Sequence, residues 1–215
     1  MSFTQTYINH EGPQNATLNN ARCIDDKSKG SKELKRKSDF SKENGAIQFD
    51  GPSSDGQSAV TPIETEEGFK NRKNKATEMI REVRSKSKES GYFAHYFGAT
   101  TTEEIDKVKN NYGKLETNLP NASFAVEDAR RDCYAFVRGG SQPIHLCVPY
   151  RDDARESGKD SKPGVIIHEE SHIDLKTNDH IYDLPAIYAN GSLTKEQAME
   201  NAETYEYAAE NVAGI

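Results

Sequence analysis

Val165-Ile166-Ile167-His168-Glu169-Glu170-Ser171-His172-Ile173-Asp174-Leu175-Lys176-Thr177-Asn178-Asp179-His180-Ile181-Tyr182-Asp183 is the stretch whose reading decides the fold. Its apolar opening runs straight into His168, Glu169 and His172. On an α-helix, residues i and i+4 share a face, so the two histidines stand one turn apart with Glu169 on the adjacent flank. Two imidazoles so placed can take two corners of a tetrahedral Zn²⁺ site, and the glutamate can hold the water that the metal activates. The pattern is H-E-x-x-H, and its chemistry is metal-assisted hydrolysis, usually of peptide bonds. The competing reading is an ordinary helix with two surface histidines. The apolar run weakens it, because it asks for a helix at least half buried. So does Pro163-Gly164 at the helix start, where proline suits the first turn.

The subclass turns on the third ligand. The long metzincin motif wants a glycine and a third histidine where this chain has Leu175 and Asn178, so that reading fails. A thermolysin-like site wants a glutamate from a following helix about twenty residues on. Position 192 is a serine, and Glu196 and Glu200 fit only loosely. Asp179 lies much closer and offers a hard oxygen ligand within reach of the preceding helix. Tyr182, three residues later, has a hydroxyl that can be donated to the oxyanion of a tetrahedral intermediate.

At these residues the sequence resembles the aspzincins, the deuterolysin and peptidyl-Lys metalloendopeptidase family. Their H-E-x-x-H is followed by a loop reading G-T-x-D-x-x-Y-G. Here the loop is Lys176-Thr177-Asn178-Asp179-His180-Ile181-Tyr182-Asp183, with Thr, Asp and Tyr in place and the two glycines replaced by Lys176 and Asp183. The resemblance implies one catalytic Zn²⁺ held by His168, His172 and Asp179, with Glu169 as general base and Tyr182 as oxyanion partner. It implies a zincin-like α+β fold, mostly helical, with a small antiparallel β-hairpin or sheet beside the H-E-x-x-H helix.

The rest of the chain is read outward from there. At 215 residues there is room for one domain of ordinary size. Hydrophobic residues make up 33% and mean hydropathy is −0.90, so part of the chain is expected not to fold. Residues 1–60 read as a disordered polar tail, pro-region or linker, and 61–215 as the peptidase domain. The basic cluster Lys32 to Lys37, KELKRK, reads as a solvated charge run in that tail rather than a nucleic-acid patch. With a net charge of −7, nucleic acid is not an expected partner. No run of eighteen apolar residues suggests a membrane span. The N-terminus has neither a basic nor an apolar signal region, so the expectation is secretion or delivery by a non-classical route, cytoplasmic before export. The expected partner is a protein or peptide substrate, and the expected state is a monomer.

Before the motif, Phe69, Ala76, Met79, Ile80 and Val83 form a helical stripe that should end near Ser90-Gly91. Tyr92 to Gly98 is aromatic-rich and reads as core between two helices; a similar Y-F-G segment occurs in the aspzincins. His95 within it is not assigned to metal. Thr101-x-x-Glu104 is a capping box opening a helix with Ile105, Val108, Tyr112 and Leu115. Cys133–Val137 and Ile144–Val148 are predicted strands around a turn at Arg138–Gln142. The second strand is a candidate for binding extended substrate by β-augmentation, against a plain scaffold role. Cys133 and Cys147 flank the turn symmetrically, and the resemblance to exported enzymes favours a disulfide between them; Cys23 has no evident partner.

After the motif, one last helix capped by Ser192 or Thr194 should pack through Ala198, Ala202, Tyr205, Ala209 and Val212. Glu203, Glu206 and Glu210 form an acidic stripe, by spacing equally a solvated face. The segment Asn201-Ala202-Glu203-Thr204-Tyr205-Glu206-Tyr207-Ala208-Ala209-Glu210-Asn211 is similar to the closing N-A-D-x-Y-E-x-F-A-E-N of the lysine-specific aspzincins. That similarity implies an S1′ pocket lined by Glu203 and Glu206, suited to lysine or arginine at P1′. Two rivals share the motif: a protease toxin or effector with the same chemistry, and a non-catalytic binding module keeping the fold.

Overall fold

The computed structural model describes residues 65–127, 133–182 and 191–212. The expected tail at 1–60, with KELKRK and Cys23, lies outside the described residues, as does Asp183.

Helix α1 (Glu66–Ser85) starts at Thr65, whose hydroxyl accepts from the Gly68 N–H at 3.0 Å, and it buries the predicted stripe Phe69, Ala76, Met79, Ile80 and Val83. It ends earlier than expected. The Ser85 hydroxyl turns back onto the Glu82 carbonyl at 2.6 Å, the kind of local bond that competes with helix propagation. A single 3-10 turn at Lys88–Ser90 then leads to Gly91 at φ 68°. The aromatic segment is itself a short helix, α2 (Tyr92–Phe97), with Phe93, Tyr96 and Phe97 buried. The Tyr92 hydroxyl donates to the Ala208 carbonyl, tying this turn to the C-terminal helix. Helix α3 (Thr102–Asn118) opens on the predicted box: the Thr101 hydroxyl accepts from the Glu104 N–H and the Glu104 carboxylate accepts from the Thr101 N–H.

The sheet is larger than a hairpin. Strand β1 (Phe124–Glu127) pairs in parallel with β3 (Ser141–Cys147), and β2 (Ala135–Arg138) pairs with β3 antiparallel. β1 is short and its partner is distant in sequence, which is why local pattern reading passed over it. The β2–β3 turn is shorter than predicted, two residues, Gly139 and Gly140 at φ 61° and 63°, the conformation a two-residue hairpin needs. Pairing then skips from Arg138↔Ser141 to Val137↔Ile144; Pro143 lies in the gap and has no N–H to give the ladder. Because β3 is the middle strand, both its edges are occupied. The expectation that this strand binds substrate by β-augmentation is therefore overturned. Val148 is not strand either: with Pro149 in its first turn it begins α4 (Val148–Asp152).

Cys133 and Cys147 do not form the expected disulfide. Their sulfurs lie 3.6 Å apart in buried contact, and Cys147 keeps its thiol; a disulfide would bring them to about 2.05 Å. The Cys133 sulfur is already in a disulfide that does not involve Cys147, whose N–H goes to the Tyr134 carbonyl one residue away.

Helix α5 (Lys162–Asp174) carries the motif and is buried between α1, α7 and one face of the sheet. The predicted single last helix is two: α6 (Lys195–Met199), capped by Thr194, and α7 (Ala202–Val212). The break at Glu200-Asn201 has a cause. Asn178 donates its N–H to the Glu200 carbonyl at 2.7 Å, and Ala202 donates to the Asn178 carbonyl at 3.0 Å. The loop after α5 thus takes up backbone groups that a continuous helix would have used itself.

Candidate active site

The site is built on α5. Ser161 caps it, its hydroxyl accepting from the Gly164 N–H at 3.1 Å. The helix is apolar nearly all round through Val165, Ile166 and Ile167, which buries its middle. His168 and His172 follow at one-turn spacing, with ring centroids 4.9 Å apart. His168 is 1% and Glu169 3% exposed, so the surface-histidine reading fails for His168.

Beyond α5 the chain turns sharply at Lys176, which adopts φ 58°. Left-handed backbone is where glycine is usual at a helix end; the lysine stands where the aspzincin pattern has its first glycine. The turn brings Asp179 back over the histidines. Its Oδ1 lies 3.1 Å from His168 Nε2 and 3.3 Å from His172 Nε2. Tyr182 follows, its ring 6.2 Å from that of His168 at an interplanar angle of 20° and its hydroxyl buried.

The other nitrogen of each imidazole faces an acceptor. His172 Nδ1 donates to the Thr177 carbonyl at 2.9 Å, and the Thr177 hydroxyl lies 2.7 Å from that of Ser171. His168 Nδ1 lies 3.1 Å from Glu206 Oε2 and 3.4 Å from Glu203 Oε2. With both protons on Nδ1, the two Nε2 lone pairs and the Asp179 oxygen face one another. Three acceptors so arranged repel unless a cation sits among them. Tetrahedral ligands around zinc stand about 3.3 Å apart, and the Asp179 oxygen stands at that spacing from each imidazole nitrogen. The residues therefore fit the ion that the motif implies. The same geometry governs the proton affinities. Burial raises Asp179, but hydrogen bonds from the two imidazoles, whenever an Nε2 carries a proton in place of the cation, hold its carboxyl well below the usual carboxylate range. Burial pulls His172 down, yet Asp179 and the nearby Glu169 charge carry it above its ordinary value.

Among the described residues, two groups stand close enough to hold a metal: His168, His172 and Asp179, and His168, Glu203 and Glu206. They share one ring, from opposite sides. The acidic stripe is not a solvated face: Glu203 and Glu206 are 0% exposed. On the far side of α5, Glu170 is buried, accepts from Gln142 Nε2 at 3.0 Å, and is pushed up to about 7 by burial and by neighbouring Asp174.

Two residues in this arrangement make contacts that the sequence did not foretell: Glu210, read there only as part of the acidic stripe, and Asn201. Glu210 accepts from both the N–H and the hydroxyl of Ser161, each at 2.8 Å. Asn201 bonds the Asp179–Tyr182 loop. The available signal was an asparagine, a poor helix former, in the middle of what was read as one continuous helix.

The fold is shared with a zinc peptidase from Grifola frondosa, at a TM-score of 0.57 and 22% identity, over 66% of this chain and 90% of that one. Fold and relatives together define the class, a zinc metallopeptidase of mixed helical architecture. The sequence model of the aspzincin family, described as lysine-specific metallo-endopeptidase, matches residues 71–210, and the chain belongs to that family. It is 28% identical to a peptidyl-Lys metalloendopeptidase of Pleurotus ostreatus over 55% of this chain and 73% of that protein. It is 27% identical to an extracellular protease of Aeromonas hydrophila, again over 55% of this chain but spanning only 35% of that relative.

Proposed function

We propose that this chain, with its catalytic unit in residues 61–215, is a zinc endopeptidase that cleaves protein or peptide substrates before lysine or arginine. His168 and His172 hold the ion through Nε2 and Asp179 holds it through its carboxylate. Bound there, zinc supplies a Lewis acid for the scissile carbonyl and lowers the pKa of water. Glu169 takes the proton of the attacking water and passes it to the leaving amine. Tyr182 donates its phenolic hydrogen to the oxyanion. The Asp179 oxygen at tetrahedral spacing from the nitrogens of both histidines carries this reading.

Glu203 and Glu206 supply the negative charge that selects a cationic P1′ side chain. The family's description and the printed names of its relatives support that role, while in this structure both carboxylates are buried against His168 Nδ1. Action outside the cell is supported by the extracellular Aeromonas relative. Cleavage-site mapping on a denatured protein substrate, with and without a chelator, tests both levels. Chelator-sensitive cuts before Lys are expected. Cuts before apolar residues would remove the pocket while keeping the peptidase, and cleavage indifferent to chelation would remove the zinc chemistry.

A further inference from the structure

Asn201 stands immediately ahead of α7, where an asparagine ordinarily bonds the first free N–H groups of its own helix. Here a backbone group does that work: the Thr204 N–H donates to the Asn201 carbonyl at 3.1 Å. The side chain is turned the other way. Its Oδ1 accepts from the His180 N–H at 2.9 Å and the Ile181 N–H at 3.3 Å. Its Nδ2 donates to the Ile181 carbonyl at 3.4 Å and to the Thr204 hydroxyl at 3.1 Å. The amide therefore makes four hydrogen bonds while 0% exposed, the full use of its donors and acceptors.

His180 and Ile181 are the two residues between Asp179 and Tyr182. We infer that Asn201 is a positioning residue that fixes the Asp179–Tyr182 loop, setting the Asp179 carboxylate and the Tyr182 hydroxyl against the two histidines in one rigid turn. Past the Asn178–Asn201 backbone bridge the loop has no regular secondary structure up to Tyr182. Outer partners that orient a ligand are worth on the order of 10–100-fold in metal affinity, and the same factor is expected here. This inference rests on the zinc site proposed above.

The test is the zinc dissociation constant of the full chain, by competition with a chromophoric chelator, in wild type, Asn201→Ala and Asn201→Ser, with amide hydrogen exchange on the zinc-free proteins. Serine remains a competent helix cap but is too short to span two amides of the loop. Asn201→Ser should stay folded by circular dichroism at some cost in melting temperature, bind zinc on the order of 10–100-fold more weakly, and lose exchange protection at Ile181. A serine variant that binds zinc as tightly as wild type overturns the inference, whether or not the alanine variant folds. Wild type that fails to bind zinc overturns the underlying site instead, so the two failures read differently.

Discussion

The Glu210 carboxylate on α7 lies 2.8 Å from both the N–H and the hydroxyl oxygen of Ser161, the residue that caps α5. One end of the motif helix is thus held by a carboxylate from another element, placed where the helix dipole favours negative charge. A Cβ built on Gly164 would overlap that carboxylate. Glycine inside a helix normally costs about 1 kcal/mol relative to alanine, so Gly164→Ala should stabilise on propensity alone. The close approach reverses the sign. We expect Gly164→Ala to lower stability by about 1–3 kcal/mol in urea unfolding, and a stabilised variant would show that Glu210 has room to move away.

Lys176 offers the opposite case. Its left-handed φ of 58° costs a non-glycine residue about 1–2 kcal/mol. Its ammonium donates to the Gly140 carbonyl at 3.0 Å on an exposed edge, which recovers only part of that. Lys176→Gly should raise stability by a few tenths to about 1 kcal/mol with zinc binding unchanged. A clear loss of stability would mean that the Gly140 bond outweighs the backbone strain.

The Glu170 carboxyl titrates near 7 in the folded chain, against a reference of 4.5. Between those values the folded state binds more protons than the unfolded one. The contribution is fully present below pH 4.5 and is lost as pH rises through 7. At 1.36 kcal/mol per pKa unit this is of order 3 kcal/mol. Glu170→Gln should therefore be close to wild type at pH 5 and more stable than wild type at pH 8. Equal stability at both pH values would mean that the carboxyl reaches water more easily than its burial suggests.

Glu169 and Tyr182 should separate cleanly from the ligands. Glu169→Ala is expected to lose about 10²–10⁴-fold in kcat while retaining zinc. Tyr182→Phe, which removes one oxyanion donor, is expected to lose about 10²–10³-fold in kcat with KM little changed. If Tyr182→Phe instead raised KM at constant kcat, the hydroxyl would be binding the ground state.

Much of this arrangement was legible in the sequence because it is local. The stripe of α1, the capping boxes of α3 and α6, and the one-turn spacing of His168 and His172 each depend on residues within a turn or two of one another. What escaped depends on distant partners. β1 forms only because β3 is there to pair with, and the break between α6 and α7 exists because Asn178 reaches Glu200 and Ala202. The acidic stripe could not be told from a solvated face, since spacing along one helix says nothing of what lies opposite. The cysteines flank their turn symmetrically in sequence, yet the Cys133 sulfur is in a disulfide that does not involve Cys147 and the two sulfurs stand 3.6 Å apart.

The most direct measurement is the zinc content of purified Asp179→Ala beside wild type, each dialysed against the same weak chelator. Stoichiometric zinc in wild type and its loss in the variant, with α-helical circular dichroism preserved, is the result expected from a carboxylate oxygen 3.1 Å and 3.3 Å from two imidazole nitrogens. An Asp179→Ala protein that keeps a full complement of zinc would contradict the account.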